Sequence, residues 1–595
     1  MWQKTSRAAF AAAWLLVSAA NALPHGDDDS MDMDKDMNMD SHSGQDQASE
    51  AFQNSPMSYF AYGKHSGTIV AHIALMVLAW CFVLPIAVMF SVARSRFALL
   101  SQFGFLVFNA LGLLLGIIYN SQTPDLYENN AHHKIGWIVT WVACAQTIMS
   151  LIFVYAGRGE PQSNSYERTA FLPVATEDSD HQHTYPNGAF HDYRWSRDSG
   201  QGTERNSASL NSRLQSPTCE SPVDDFDGFE KPEDQVHVQS TGRPSWWQNT
   251  VIDRFLVSRL PSMVSSRVLR ILNAVYIFID KIILPFGFLA MSTGGVTYGG
   301  IMRGHEIFNG LAHFIKGGIF FWYGVLTFGR WLGCCADLGW AWNIKPTSDI
   351  VGKWKARVPS GEFTESFVIF LYGSTNVFLE HLAGWGKEWS PMDLEHVSIS
   401  ILFFGGGLCG MLFESKRIKD TLNRTILPQP TRYAIRRNPD SAWEAPNTQN
   451  VSLNPMPALV ILLLGMMMGS HHQDSMTSTM VHKQWGNLLV GFALARGATY
   501  ILLYIKPPTS YLPARPPTEV ISGFCLIAGG LIFMLSTRNI VDAMIVYEVD
   551  AMFTFTVGMG FTAFVMALEV VAIAVKAWAV KRELPPQPEP FRFPA

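Results

Sequence analysis

The sequence predicts an all-α, polytopic membrane protein with about eleven transmembrane helices in two bundles, three and eight, separated by a disordered cytosolic insert. Three observations predict it. Apolar stretches recur at 67–92, 99–119, 134–156, 268–291, 306–333, 363–382, 396–413, 456–470, 486–504, 519–536 and 551–579, most of them near the ~20 residues that span a hydrocarbon core. Hydrophobic residues make up 48% of the chain and charged residues only 16%, even with two polar regions diluting the first figure. Lys and Arg gather in alternate loops, as they do on the cytosolic side of a membrane.

Taken in order, residues 1–22 read as a signal peptide, with Lys4 and Arg7 before the apolar run Ala8–Ala20 and a small-residue cleavage site at Ala20, Asn21 and Ala22. Residues 23–66 form a polar arm, placed in the lumen or outside the cell by that signal. Residues 67–157 hold three spans. The insert, 158–267, is rich in Ser, Asp, Gln and Gly through about 245, a composition too polar to bury a core. Its many serines make 158–245 a candidate regulatory region. Its end alternates Trp246, Trp247, Phe255 and Leu256 with Arg254 and Arg259, which suits a segment lying on the membrane surface. Residues 268–580 hold eight spans, of which 456–470 is short enough to be re-entrant. Residues 581–595 form a Pro-rich tail. Counting spans from a lumenal amino terminus places the loops with Arg94 and Arg96, Lys345 to Arg357, Lys416 to Arg437, Lys506 and Arg515, and the tail with Lys581 and Arg582, in the cytosol. The sequons at Asn423 and Asn450 fall there and are expected to stay unglycosylated.

Several function classes drop out. The net charge of −5 carries no basic, aromatic-rich stretch for nucleic acid. The seven cysteines form no obvious lumenal pair. No phosphate-binding loop suggests an ATP-driven pump, and no Ser-His-Asp order or HExxH string suggests hydrolysis, so no catalytic residue is assigned. The bilayer is the one partner the chain requires.

What remains is a layer of histidines at the lumenal ends of the spans. His72 lies one turn inside the first span, and His132 and His133 stand at the start of the third. Two imidazoles on facing helices at matching depth can ligate a haem iron. They can equally be interfacial hydrogen-bonding groups. In the second unit, His305, Glu306, Asn309, His313 and Lys316 begin a span, with 305, 309, 313 and 316 on one helix face. Glu380 with His381, Glu395 with His396, and then His471, His472 and His482 among several methionines face the same side. Such a set could hold copper, zinc or a second haem, or simply hydrogen-bond to fix helix register. In the arm, His25 and His42 flank Met31, Met33, Met37 and Met39 among aspartates. Thioethers suit Cu(I) and imidazoles Cu(II), although a solvated acidic leader has the same composition.

The string AHIALMVLAWCFVLPIAVMFSVARSR resembles the first haem helix of the b-561-type cytochromes, which include ferric reductases, through His72, Leu75, Met76, Ala79, Trp80, Pro85, Ala93 and Arg94. HHKIGWIVTWVACAQ resembles their later helix through His132, Gly136 and Gln146, and it selects His132 over His133. The resemblance implies one haem b held by His72 and His132. The family's second helix carries a histidine that the second span here lacks, so a second haem is not implied. With GGVTYGGIMRGHEIFNGLAHFIKGGIFFWYG added, the two units together resemble the fungal YTP-type membrane proteins. GHE, EHVSISILFF and the later HH…VH are faintly similar to the transmembrane epididymal proteins. Neither likeness brings an activity. Three functions therefore stay open: a haem-b electron carrier or metal reductase, a copper or zinc transporter or sensor, and a non-catalytic membrane scaffold.

Overall fold

The computed structural model describes residues 57–156, 266–426 and 451–584, apart from 305, 384–388, 390, 471, 472 and 474. The expected signal peptide, most of the arm with His25, Met31, Met33 and His42, and the insert up to residue 265 lie outside the described residues, as do His305, His471 and His472. No strand occurs among the described residues. Eleven long helices follow one another among the described residues: α1 Ser66–Val92, α2 Ala98–Gln122, α3 Ala131–Ala156, α4 Ser266–Gly299, α5 Glu306–Leu332, α6 Gly361–Ala383, α7 Pro391–Glu414, α8 Met456–Ser470, α9 Met476–Ile505, α10 Thr518–Leu535 and α11 Ala551–Glu583. Among the described residues, nine helices are long and apolar enough to cross a membrane. The other two of the eleven depart for different reasons. α8 is apolar but only 15 residues long, about 22 Å at 1.5 Å per residue. α6 has 23 residues but carries Glu362, Glu365 and Glu380.

The long insert does not mark the packing boundary. α4 follows it, yet α4 packs on α3 and completes a first bundle of four helices. Ile279 and Ile283 of α4 share one buried core with Met76, Trp80, Leu84, Phe105 and Val139. α1 widens into a π-helix over Leu78–Val83 just before Pro85. Proline lacks the N–H that an α-turn needs and crowds the carbonyl four residues back, and the wider turn absorbs both.

The second bundle is a horseshoe. Neighbour follows neighbour in the order α5, α10, α9, α8, α7, α6. Lipid tails are as apolar as leucine, so close backbone contact rather than hydrophobic burial must hold such helices together. Glycine supplies it. A Cβ on Gly317 of α5 would stand 2.6 Å from the Gly530 carbonyl oxygen of α10, and Gly465 of α8 and Gly486 of α9 oppose one another at 2.7 Å in the same sense. Gly373 of α6 meets the backbone of Phe403 and Phe404 on α7. α11 joins the bundles: it packs on α10 and on α1, where Trp578 stacks on Phe97 at 5.8 Å and Glu583 accepts hydrogen bonds from Ser95 and the Arg96 amide.

Gly317→Leu should therefore cost about 1–3 kcal/mol or more through overpacking. The Gly104→Leu control, where a Cβ meets nothing within 4 Å, should leave the melting temperature of the detergent-solubilised protein unchanged.

Candidate functional site

The first bundle brings His72 and His132 together. Their ring centres lie 6.4 Å apart with planes at 78°. His72 Nδ1 donates to the Gly112 carbonyl of α2 at 2.7 Å, and His132 Nδ1 donates to the Ala290 carbonyl of α4 at 3.1 Å. Those bonds orient both rings and leave Nε2 as the nitrogen for any other partner. Glycine makes room for each ring: a Cβ at Gly116 or at Gly294 would come within 3.0 Å of the imidazole. All four helices thus contribute. His133 is exposed, and its amide is capped by Asn130 Oδ1 at 3.0 Å.

Two residues of the haem-helix pattern, Trp80 and Gln146, hydrogen-bond inside this bundle. Trp80 Nε1 donates to Asn109 Oδ1 at 2.9 Å, and Asn109 donates to Thr140. Deeper in the bundle, Gln146 and Ser91 donate to the Asp280 carboxylate at 2.5 and 2.7 Å, and the Tyr276 hydroxyl accepts from Gln102 at 3.0 Å. Asp280 escaped the sequence reading. Its signal was a lone carboxylate inside an apolar span.

A second imidazole pair forms between α5 and α9. His313 and His482 have ring centres 6.1 Å apart with planes at 88°. Each Nδ1 donates to a carbonyl one turn back, Asn309 and Ser478, both at 2.8 Å. Phe533 packs on His313 at 5.4 Å, and Trp485 stacks on Phe533 at 4.2 Å. Among the described residues, no group of three or more His, Cys, Asp or Glu side chains could hold a metal ion. Glu306 is half-buried, Glu395 exposed and His396 half-buried. His381 lies on α6 with its side chain outside the described residues.

The opposite end of the second bundle holds an ion cluster not anticipated from the sequence. Arg330 of α5 donates to Glu362 at 2.9 Å and Glu365 at 2.6 Å on α6, and to the Trp340 carbonyl at 2.6 Å. Arg496 of α9 donates to Glu365 at 3.2 Å and Glu519 of α10 at 2.7 Å. Trp342 lies under both guanidinium groups, 4.4 Å from Arg330 and 5.7 Å from Arg496. Arg330, Arg496 and Glu519 have at most 1% of their surface exposed. The clue was present: Arg496 stands inside a long apolar run, where a charge demands a partner.

Two family models match the chain. Residues 286–577 match "Protein YTP1-like, C-terminal", and residues 53–156 match a domain of unknown function, DUF2427. An uncharacterized membrane protein of Schizosaccharomyces pombe is 33% identical over 524 residues, covering 88% of this chain and 96% of the relative. The chain belongs to the YTP1-like family of membrane proteins. A second family relative, an uncharacterized membrane protein of Saccharomyces cerevisiae, is 41% identical over 317 residues, 51% of this chain and 47% of its own. Protein YTP1 of the same yeast is 27% identical over 177 residues, 29% of this chain and 30% of its own. No solved structure matches. The carboxy-terminal family model begins inside α4, the helix that completes the first bundle.

Removing Arg330 should be severe, because it strands the buried Glu362 carboxylate and leaves Glu365 to Arg496 alone. Arg330→Met should cost about 3–5 kcal/mol, read as a large drop in melting temperature. Arg330→Lys should restore only part of it, since an ammonium cannot serve as a planar fork. Beside this cluster, just past the end of α5, burial pushes the Cys334 thiol up to about 11. A raised thiol stays protonated and unreactive at neutral pH. Iodoacetamide labelling of Cys334, followed by peptide mass spectrometry, should stay slow at pH 8 and climb steeply toward pH 11.

Proposed function

We propose that the first bundle holds one haem b between His72 and His132, and that the protein is a membrane electron carrier of the metal-reductase kind, with the haem toward the lumenal side. One observation carries this reading: two imidazoles from opposite helices, each with Nδ1 tied to a backbone carbonyl, with ring centres 6.4 Å apart. An iron bound by two imidazole nitrogens at about 2 Å each sets ring centres roughly 6 Å apart. Fixed Nδ1–H groups raise the donor strength of the free nitrogens and hold the rings against rotation. Gly116 and Gly294 allow the rings to lie against the neighbouring backbones. The haem would supply reversible one-electron exchange, and Trp80, Asn109 and Thr140 would hold α1, α2 and α3 in register beneath it. Protein purified from haem-replete cells should show a Soret band. His72→Ala and His132→Ala should each abolish it, and His133→Ala should retain it. A colourless wild-type preparation sinks the reading.

A second reading rests on the other pair. His313 and His482, 6.1 Å apart with both Nδ1 atoms engaged, suit a two-coordinate soft cation such as Cu(I), delivered by the methionines and histidines of the arm. Metal analysis after copper loading should find about one copper per chain beyond the arm's share. His482→Ala should remove it. Equal copper in both proteins removes this reading.

A further inference from the structure

Glu569 lies well inside α11, one of the helices long and apolar enough to cross a membrane. A bare charge at such a depth is costly, so a partner is expected. Glu362, Glu365 and Glu519 meet that expectation with arginines, and Asp280 with the Ser91 hydroxyl and the Gln146 amide. Glu569 does not. Among the described residues, no hydrogen bond or ion pair reaches it, and its Oε2 is buried without a donor.

Its surroundings are apolar. About one turn earlier, Val565 and Met566 pack with Phe328 of α5 and Ile527 of α10. Val570 and Val571, next along the helix, are exposed, and in a bilayer that exposure meets hydrocarbon. Across the seam, a Cβ at Gly329 of α5 would stand 3.0 Å from Glu569 Oε1 and 3.9 Å from Cys334 Sγ. Glycine leaves the space that the carboxyl occupies. Glu569 as a whole is half-buried, so Oε1 is the oxygen that a molecule dissolved in the membrane can meet.

The titratable groups nearby offer it no counter-charge. Cys334 is a protonated thiol at neutral pH. Arg330, next to Gly329, is committed to Glu362 and Glu365. Lys281 of α4, Lys576 of α11 and Asp337 act on the Cys334–Cys335 turn past the end of α5, and Lys576 stands about 10 Å beyond Glu569 along α11. A carboxyl in hydrocarbon with neither cation nor donor is stable as the neutral acid.

We propose that Glu569 is a proton-binding site within the membrane, which carries its proton at neutral pH and is open to lipid-soluble carbodiimides. It gives the protein a place to take up or release one proton at the seam between α5 and α11, the helix that joins the two bundles. This is independent of the haem reading, since no haem or metal takes part.

The test uses full-length protein in dodecyl maltoside, a detergent without a carbonyl group. Dicyclohexylcarbodiimide dissolves in hydrocarbon and adds to a neutral carboxylic acid. The acid's proton goes to one nitrogen and its oxygen bonds to the central carbon. The acyl group then migrates to nitrogen and leaves a stable N-acylurea, with no atom lost. At pH 7 the peptide that contains Glu569 should gain the mass of one whole reagent molecule. A cationic, water-soluble carbodiimide should label that peptide at least tenfold less. Infrared spectra at pH 7 should show the C=O stretch of a neutral carboxylic acid, weakened in Glu569→Gln by the equivalent of one group. The adduct is located in the wild-type chain, so that readout decides even if the variant does not fold. An unmodified Glu569, equal labelling by the two reagents, or a wild-type spectrum without that stretch would each overturn the proposal.

Discussion

A charge inside hydrocarbon has to be paired, and that constraint shapes the second bundle. Arg330 and Arg496 face Glu362, Glu365 and Glu519 from four different helices. Glu365 is the hinge of the arrangement, because both arginines reach it. The same pairs close the horseshoe where its tips would otherwise stand apart. Buried ion pairs seldom add net stability over apolar packing, but they penalise every arrangement that separates them. They are therefore well suited to specifying which helices end up side by side when all of the helices are similarly apolar.

Elsewhere the helices are held by approach rather than by charge. Gly317 with Gly530, and Gly465 with Gly486, bring backbones so near that no side chain fits between them. The consequence is rigid pairs, α5 with α10 and α8 with α9. Between such pairs and the tips lies a cavity of about 410 Å³ with an aromatic wall.

The two imidazole pairs are built alike. In each, one ring comes from each of two helices, the Nδ1 atoms are committed to backbone carbonyls, and the ring centres lie 6.4 or 6.1 Å apart. They differ in what holds the rings. His72 and His132 bond to carbonyls of other helices, so their positions report the packing of the whole first bundle. His313 and His482 bond within their own helices, so their spacing depends on the α5 and α9 positions alone.

The all-α membrane class and the helix positions were legible in the residues, because hydropathy over about twenty positions is a local property. The closeness of His72 and His132 had a local signal as well: the surrounding string singled out these two, whose rings the fold brings 6.4 Å apart, over the exposed His133. The bundle membership of α4 was not legible, since a long polar insert looks like a domain break and only packing shows that Ile279 and Ile283 belong with Trp80 and Phe105. Nor were the partners of the buried charges. Glu365 is 131 residues from Arg496, and which helices meet depends on their order around the bundle. Local composition decides that a segment enters the membrane. Contacts between distant segments decide which charges, rings and glycines confront each other there, and no single span encodes that.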